Sequence, residues 1–311
     1  SGQCYDDHRV EVADVAFALD KLKRSKSDNN EKFKSDHLIN APRSLQVHLS
    51  LSLQTLLRHD TCPPAMLLSV LVPIPKSVRK SLNDANNYRS IAISSLIGKV
   101  LDHIVMRRHA GVLRTSWLQF GFKPKHATTQ CTFLLEEVID HYRRGQSTAH
   151  VILLDATKAF DRINFVKLFS LLMRRGLCPL TIMLLASLYV NQCLVVKWDG
   201  CMSDSFQGCN GVKQGGVLSP ILFCTYIDVL LDRLSTLGLG AHLGEMFVGA
   251  LGYADDLALV SPSVYAMDKM LKVCGDFADE YDVIFNSQKS QSLIFGAMQT
   301  TAAPVFQIQG E

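Results

Sequence analysis

Tyr253-Ala254-Asp255-Asp256 is the stretch that best predicts the fold, because it places two adjacent carboxylates between two apolar runs. The runs, Met246 to Leu251 and Leu257 to Val260, have the length and composition of short strands joined by a tight turn. Burying two like charges beside a sheet is unfavourable unless a cation meets them, and a divalent metal is the simplest such cation. The stretch therefore predicts an acidic hairpin tip that binds a metal ion, with an ordinary solvated turn as the alternative.

The composition is that of a globular protein. The chain has 311 residues, of which 48% are hydrophobic and 20% are charged, enough for one large domain or two medium ones with a packed core. The net charge of +3 says little about partners. Basic residues nevertheless cluster at Lys21 to Lys34, Arg107-Arg108 and Arg174-Arg175, which leaves room for a local anionic partner.

Cysteine usage and hydropathy favour a reduced, intracellular protein. The nine cysteines lack the paired spacing of a zinc site or of a disulfide framework. No run of uncharged apolar residues is long enough to predict a membrane span, and Ser1 to Asp7 lacks the apolar core of a signal peptide. We expect no membrane partner. Because the chain begins with Ser1, we also expect a fragment or a processed chain.

The pattern of apolar residues changes near the middle of the chain. Up to about residue 149 it predicts mostly helices, and afterwards strands and helices alternate without strict βαβ order, which favours an α+β fold with a largely antiparallel sheet and packed helices. The predicted helices cover residues 9–25, 45–58, 91–113, 128–144, 165–175, 179–189, 218–237 and 264–281. The predicted strands cover residues 67–72, 151–154, 193–198, 246–251, 257–260, 283–285 and 292–295.

A second source of carboxylate is Asp155, which follows the buried-type strand at residues 151–154. An antiparallel sheet could bring Asp155 beside Asp255 and Asp256. Two Mg²⁺ ions held about 3.5–4 Å apart by such acids activate an attacking hydroxyl and stabilise a leaving oxygen in phosphoryl transfer. The alternative for Asp155 is a helix N-cap, since it stands at a strand-to-helix junction.

Five segments together resemble reverse transcriptases. Motifs A, B and C of that family are similar to Asp155-Ala156-Thr157-Lys158-Ala159-Phe160-Asp161, Gly211 to Pro220 and Tyr253-Ala254-Asp255-Asp256. Together with Asn87-Tyr88-Arg89-Ser90-Ile91 and Gly121-Phe122-Lys123, the motif sequences are most similar to those of the LINE-type, non-LTR retrotransposon enzymes. A group II intron-type reverse transcriptase is the enzymatic alternative, and the sequences of Asn87 to Ile91 and of motif B disfavour it.

The resemblance implies a two-metal active site. Asp155 and Asp255, with the backbone carbonyl of Ala156, would bind two Mg²⁺ ions, for which Mn²⁺ is a conceivable substitute. Asp256 would complete the acidic site near the primer terminus, and Tyr253 would lie beside the template and primer.

The resemblance also implies a nucleotide-binding set. Phe160 would place its ring against the sugar and exclude a ribose 2′-OH, Gln214 and Gly215 would contact the incoming nucleotide and the template, and Arg89 would clamp the triphosphate. Lys289 would assist the leaving pyrophosphate as a proton donor. The alternative for Phe160 is a core phenylalanine, that for Gln214 and Gly215 is a Gly-rich turn before a helix, and that for Lys289 is a surface lysine. Ser90 departs from the proline that the family usually has after the arginine.

Template contacts are implied at Gly121 and Lys123. Lys99, Arg107 and Lys125 could neutralise further backbone phosphates, or could only solvate outer faces of helices.

The implied architecture is that of a right-hand polymerase. Residues 1–60 would form an N-terminal extension, 61–149 the fingers and 150–311 the palm. Because the chain ends at Glu311, we expect the primer grip and thumb to be missing, and an upstream endonuclease and downstream thumb to belong to the parent polyprotein. The expected activity is RNA-directed DNA synthesis on an RNA template from a DNA primer and dNTP. The alternative is an inactive, truncated remnant that binds nucleic acid. Family analogy alone places the protein in the nucleus and cytoplasm.

Overall fold

The computed structural model describes residues 9–28, 33–296 and 304–308. It forms two compact units, each built from two stretches of chain. The first comprises the residues up to Leu113 together with Phe165–Ser219, and the second comprises Arg114–Asn164 together with the residues from Pro220 onward. The division into extension, fingers and palm, which the resemblance implies with limits at residues 60 and 149, stays a prediction.

Helices and strands are mixed along the chain, as predicted. The helices are α1 (Val12–Asp20), α2 (Ser35–Ile39), α3 (Arg43–His59), α4 (Pro64–Leu67), α5 (Leu96–Arg108), α6 (Thr128–Arg144), α7 (Phe165–Arg174), α8 (Pro179–Val190), α9 (Ser219–Leu237) and α10 (Val264–Tyr281). The strands are β1 (Leu68–Pro75), β2 (Tyr88–Ser94), β3 (Ala149–Asp155), β4 (Cys193–Trp198), β5 (Cys201–Met202), β6 (Phe206–Gln207), β7 (His242–Leu243), β8 (Met246–Phe247), β9 (Ala250–Tyr253), β10 (Asp256–Ser261) and β11 (Gln291–Phe295). Short 3₁₀ turns cover Ala85–Asn87 and Ala159–Arg162.

The first unit is a small sheet with helices packed around it. Its strands run in the order β2-β1-β4-β5, with β6 also paired to β4, and β1 pairs antiparallel with β2 but parallel with β4. Helix α1 packs on α3 and α5, and α8 packs on α3 and α7. Fully buried side chains from these helices form the core, including Val15, Leu53, Leu101, Ile104 and Leu184.

The second unit contains a four-stranded antiparallel sheet in the order β11-β3-β10-β9 and a two-stranded sheet of β7 and β8. Strand β3 is almost entirely buried, because α6 packs on β3 and β9 and buries Val138 against Val151 and Val260. Helix α10 packs on β10 and is capped by Ser263, whose hydroxyl accepts the N–H of Ala266. The four-stranded sheet carries the acidic hairpin and Asp155.

Three predicted elements are wrong in part. The predicted strand at residues 246–251 is divided into β8, which pairs with β7, and β9, which pairs with β10. Residues 91–94 continue β2 and pair with β1, and the helix starts only after Ser95, whose hydroxyl accepts the N–H of Gly98. Residues 283–285 make only an isolated bridge, between Phe285 and Ala156. Within the described ranges, no helix combines the length and the hydropathy needed to cross a bilayer.

Candidate active site

The predicted acidic hairpin is present in the second unit. Strands β9 and β10 pair with Tyr253 opposite Asp256, so Ala254 and Asp255 form the turn between them. Ala254 has a φ of +57°, a left-handed conformation that costs a non-glycine residue roughly 1–2 kcal/mol. Asp255 and Asp256 are exposed. The turn therefore presents two carboxylates to solvent at one end of the sheet.

Asp155 lies directly across the sheet from Asp256. The register of β3 and β10 pairs these two residues, and opposed residues of an antiparallel pair have Cβ atoms roughly 4.5–5.5 Å apart. Partial burial, followed by the negative charges of Asp255 and Asp155, raises the pKa of Asp256 above its ordinary value. The sheet thus brings the acids of two separate motifs together, as the sequence predicted.

The chain just after Asp155 is held by the segment at residues 284–286. Asn286 donates its N–H to the carbonyl of Asp155 at 2.8 Å, and Thr157 donates to the carbonyl of Ile284 at 2.8 Å. Ala156 occupies the non-hydrogen-bonded position of this bridge, so its carbonyl takes no part in the bridge. This arrangement suits the ligand role implied for that carbonyl.

Lys289 reaches the same acid. Its ammonium lies 3.2 Å from Oδ2 of Asp155, and its backbone N–H donates to Oδ1 of Asn286 at 3.1 Å. The hydroxyl of Ser290 accepts the N–H of Asp155 at 3.3 Å and donates to the carbonyl of Asn286. The turn at residues 286–290 therefore packs around Asp155 and places the Lys289 ammonium beside its carboxylate.

The donor set fits Mg²⁺ in its chemistry, since it consists of carboxylate oxygens whose mutual repulsion favours a cation. The side chains of Asp155, Asp255 and Asp256 do not converge on one point. Over the described residues, no group of three or more His, Cys, Asp or Glu is placed to hold a metal ion.

Phe160 is half-buried between two other rings. It stacks on the buried Phe223 with centroids 4.4 Å apart and planes 10° apart, and the ring of the exposed Phe122 meets it edge-on at 6.0 Å. The preceding Lys158 is left-handed, with a φ of +48°, and starts the 3₁₀ turn that carries Phe160. One face of the ring is thus fixed, while part of the ring stays accessible.

The three residues predicted to contact template or primer differ in exposure. Gly121 is buried and lies against the turn between β9 and β10, since a Cβ built on it would lie 2.3 Å from the backbone nitrogen of Ala254. Lys123 is half-buried and donates its ammonium to the carbonyl of Ser116, and burial lowers its pKa. Tyr253 is half-exposed at the end of β9.

The other predicted nucleotide-binding residues belong to the first unit. Arg89 is exposed on β2. The carbonyl of Gln214 accepts the N–H of Ala92 at 2.7 Å. Gly215 has a φ of +104°, and a Cβ built on it would lie 3.1 Å from the carbonyl oxygen of Ala92. The glycine-rich loop therefore lies against β2, the strand that carries Arg89, and only glycine fits at position 215 without strain.

Arg107, one of the basic residues considered for phosphate contacts, makes contacts inside the first unit. Arg107 lies 3.9 Å from Asp14, donates to the carbonyl of Ala13, and stacks over Phe17 at 4.5 Å. Burial lowers the pKa of Lys99. Arg107 thus attaches α5 to α1. Lys125, in the second unit, is exposed.

Sequence reasoning missed two polar side chains next to the motifs. In the first unit Asp102, on α5, accepts the N–H of Leu218 at 3.3 Å, near Lys213 and Lys99, and burial raises its pKa to about 6. In the second unit Gln119 is fully buried beside the turn between β9 and β10. Both have backbone partners distant in sequence, so neither carries a local sequence signal.

Comparison with known proteins identifies the family. Residues 74–303 match the family model described as reverse transcriptase (RNA-dependent DNA polymerase). The chain is 28% identical over 267 residues to a Pol polyprotein of the retrotransposable element R2 from Popillia japonica, a match that covers 85% of this chain and 36% of that protein. It is 25% identical to the RNA-directed DNA polymerase of the mobile element jockey from Drosophila funebris, over 92% of this chain and 32% of that protein. With a probable RNA-directed DNA polymerase from the transposon X-element of Drosophila melanogaster the identity is 23%, over 95% of this chain and 33% of that protein.

Among solved structures, the chain resembles telomerase from Candida tropicalis, determined in complex with a fragment of telomeric RNA. The TM-score is 0.52 at 13% identity, over 74% of this chain and 41% of that chain, so the likeness concerns the fold alone. The chain spans about a third of the length of the three retrotransposon relatives. With its motifs, its mixed α+β fold and these relatives in agreement, the chain belongs to the reverse transcriptase family, in its LINE-type, non-LTR retrotransposon branch.

Proposed function

We propose that this chain catalyses RNA-directed DNA synthesis, in which the 3′-OH of a DNA primer attacks a dNTP on an RNA template and pyrophosphate leaves. The observation that carries the proposal is the pairing of Asp155 with Asp256 across β3 and β10, with Asp255 on the adjoining turn. Acids concentrated in this way at the end of a sheet suit phosphoryl transfer better than they suit packing. In this proposal residues 61–149 act as fingers and residues 150–311 as palm.

Asp155, Asp255 and the carbonyl of Ala156 are the proposed ligands of two Mg²⁺ ions, and Asp256 completes the acidic site. When bound, the ions would activate the attacking hydroxyl and neutralise charge on the leaving phosphates. Mg²⁺ keeps several waters and substrate oxygens in its shell, which agrees with a site of few protein ligands.

The remaining candidates position the substrate and move a proton. The ring of Phe160, held by its stack on Phe223, would stand against the sugar and exclude a 2′-OH. Lys289 carries its proton on Nζ beside Asp155 and would donate it to the departing pyrophosphate. Arg89, Gln214 and Gly215 would hold the triphosphate and the base.

The test is primer extension on poly(rA)/oligo(dT) with dTTP and Mg²⁺. Wild type should extend the primer, and the double variant Asp255→Asn/Asp256→Asn should lose at least a thousandfold in rate, because the geometry is kept while the charges are removed. Asp268→Asn, at an exposed acid on α10, is the matched control and should extend at the wild-type rate. Equal rates in wild type and the double variant would contradict this site.

Polymerase activity and simple nucleic-acid binding are separated by a binding assay on the same duplex. A wild-type chain that binds the duplex with strong salt dependence but adds no nucleotide would favour the inactive, nucleic-acid-binding remnant. Residence in the nucleus and cytoplasm stays a prediction.

A further inference from the structure

The side-chain carbonyl of Gln119 joins two backbone segments of the second unit. Gln119 is 0% exposed, and its Oε1 accepts the N–H of Gly121 at 2.8 Å and the N–H of Ala254 at 2.9 Å. Ala254 is the first residue of the catalytic turn, and Asp255 follows it directly. One buried oxygen atom therefore holds the backbone at the position from which a catalytic carboxylate is presented.

The backbone around Gln119 fixes the side chain in place. Phe120 donates its N–H to the carbonyl of Gly252 at 2.7 Å, and Gly252 donates to the carbonyl of Leu118 at 2.9 Å, so residues 118–120 run alongside β9 in a short parallel bridge. Gly121 then approaches the nitrogen of Ala254 so closely that a Cβ would not fit. The distance from the Gln119 backbone to the turn is thus set by main-chain hydrogen bonds.

The turn needs such support because of its conformation. Ala254 is left-handed, with a φ of +57°, which an L-residue with a Cβ disfavours. A strained conformation persists only where its surroundings hold it, and it is often associated with function. The bond from Oε1 of Gln119 to the N–H of Ala254 is one such constraint, and without it two buried N–H groups would lose their acceptor.

The amide nitrogen of Gln119 lies at the other end of the same group as the oxygen that accepts these hydrogen bonds. Nε2 of Gln119 is buried and has no hydrogen-bond partner within the described part of the chain. A buried donor without a protein acceptor adds nothing to the stability of this contact. The carbonyl oxygen is the part of the side chain that the turn uses.

We propose that Gln119 is a positioning residue for catalysis, which fixes the turn at Ala254 so that Asp255 is presented beside Asp155 and Asp256. This inference rests on the proposed polymerase function. The bond acts through the backbone of Ala254, and Gln119 itself touches neither substrate nor metal. Loss of the oxygen should therefore lower kcat more than it raises the KM for dTTP.

The test compares Gln119→Met, which keeps the volume but removes the acceptor, with Gln192→Met. Gln192 is the matched control, because it is a glutamine with 3% exposure in the first unit whose side chain donates to the carbonyl of Gly208. In Gln119→Met, amide hydrogen exchange at Ala254 should be at least tenfold faster and kcat at least tenfold lower, with the KM for dTTP changed less than threefold. Gln192→Met should change neither the exchange at Ala254 nor kcat.

Gln119→Glu keeps an acceptor oxygen and serves as the conservative variant. A buried carboxyl without a cation stays protonated, and its carbonyl oxygen can still accept both N–H groups. Exchange at Ala254 should remain within about threefold of wild type, whereas exchange as fast as in Gln119→Met would overturn the proposal.

Three other outcomes also decide the question. Unchanged exchange at Ala254 in Gln119→Met, or faster exchange with an unchanged kcat per folded molecule, overturns the positioning role. If wild type extends no primer, the proposed function fails, and the positioning role for catalysis fails with it. The exchange comparison then decides independently whether Gln119 holds the turn.

Discussion

The ammonium of Lys289 lies 3.2 Å from Oδ2 of Asp155, the acid that the sheet sets opposite Asp256. The lysine places a positive charge beside these carboxylates. Its side chain is 65% exposed and that of Asp155 is 36% exposed, so the pair contributes at most about 1 kcal/mol. A counter-ion held this weakly can yield to a divalent ion.

Replacing Lys289 should therefore tighten metal binding. In Lys289→Met the ion no longer competes with an ammonium for Asp155, and we expect a roughly 1.5- to 5-fold lower dissociation constant for Mn²⁺, the range that an exposed ion pair allows. Electron paramagnetic resonance of Mn²⁺ measures this without any substrate. Lys272→Met, at an exposed lysine on α10, is the control and should leave the constant unchanged. Weaker binding in Lys289→Met would show that the lysine supports the site instead.

Sugar selection should depend on two rings. Phe160→Val removes the surface that we place against the sugar, so incorporation of rUTP relative to dTTP should rise at least tenfold. Phe223→Leu keeps Phe160 but removes the ring on which it stacks at 4.4 Å, so a smaller rise is expected. Single-nucleotide extension with each substrate gives both ratios. An unchanged ratio in Phe160→Val would favour the alternative of a packing phenylalanine.

The sequence predicted those parts of the site that local patterns specify. Asp155, Asp255 and Asp256 stand beside apolar runs long enough to be recognised as strands, and the antiparallel pairing of β3 with β10 puts them at one end of a sheet. Their roles as ligands, and those of Arg89, Gln214 and Lys289, stay predictions.

Contacts between residues distant in sequence could not be predicted in this way. Residues 91–94 continue the apolar spacing of the helix that follows, and only their pairing with β1 makes them a strand. Gln119 meets Ala254, and Asp102 meets Leu218, through single hydrogen bonds that no spacing signals. For Gly121 the sequence suggested a template contact, whereas the structure also gives it a packing reason.

That packing reason predicts a large effect of one methyl group. In Gly121→Ala the Cβ would lie 2.3 Å from the nitrogen and 2.9 Å from the Cα of Ala254, both backbone atoms of a two-residue turn that cannot move independently. We expect a loss of about 1–3 kcal/mol in unfolding free energy, the usual effect of overpacking, together with loss of primer extension.

Gly111→Ala is the matched control for this change, since a Cβ there meets nothing within 4 Å. Chemical denaturation of both variants measures the difference. If Gly121→Ala kept wild-type stability and lost only its affinity for the template, the template contact would be the better explanation of this glycine.

Asp102 predicts an unusual dependence of stability on pH. Burial raises its pKa to about 6, against the opposing effects of the Leu218 N–H at 3.3 Å and of the nearby Lys213 and Lys99. Below about pH 4 the carboxyl is protonated in both the folded and the unfolded chain. Between about pH 4 and pH 6 the unfolded chain releases this proton while the folded chain keeps it, so the contribution of Asp102 to stability falls as the pH rises.

Asp102→Asn should remove this dependence, because an amide keeps an oxygen for the N–H of Leu218 but does not ionise. Its unfolding free energy, taken relative to wild type, should rise by on the order of 2–3 kcal/mol between pH 4 and pH 7, as two pKa units imply. Urea denaturation at four pH values measures the difference directly. Asp268→Asn, at an exposed acid, should show a nearly constant difference over the same range. A constant or falling difference for Asp102→Asn would mean that Asp102 is ionised in the folded chain at pH 5, held in that form by Lys213 and Lys99.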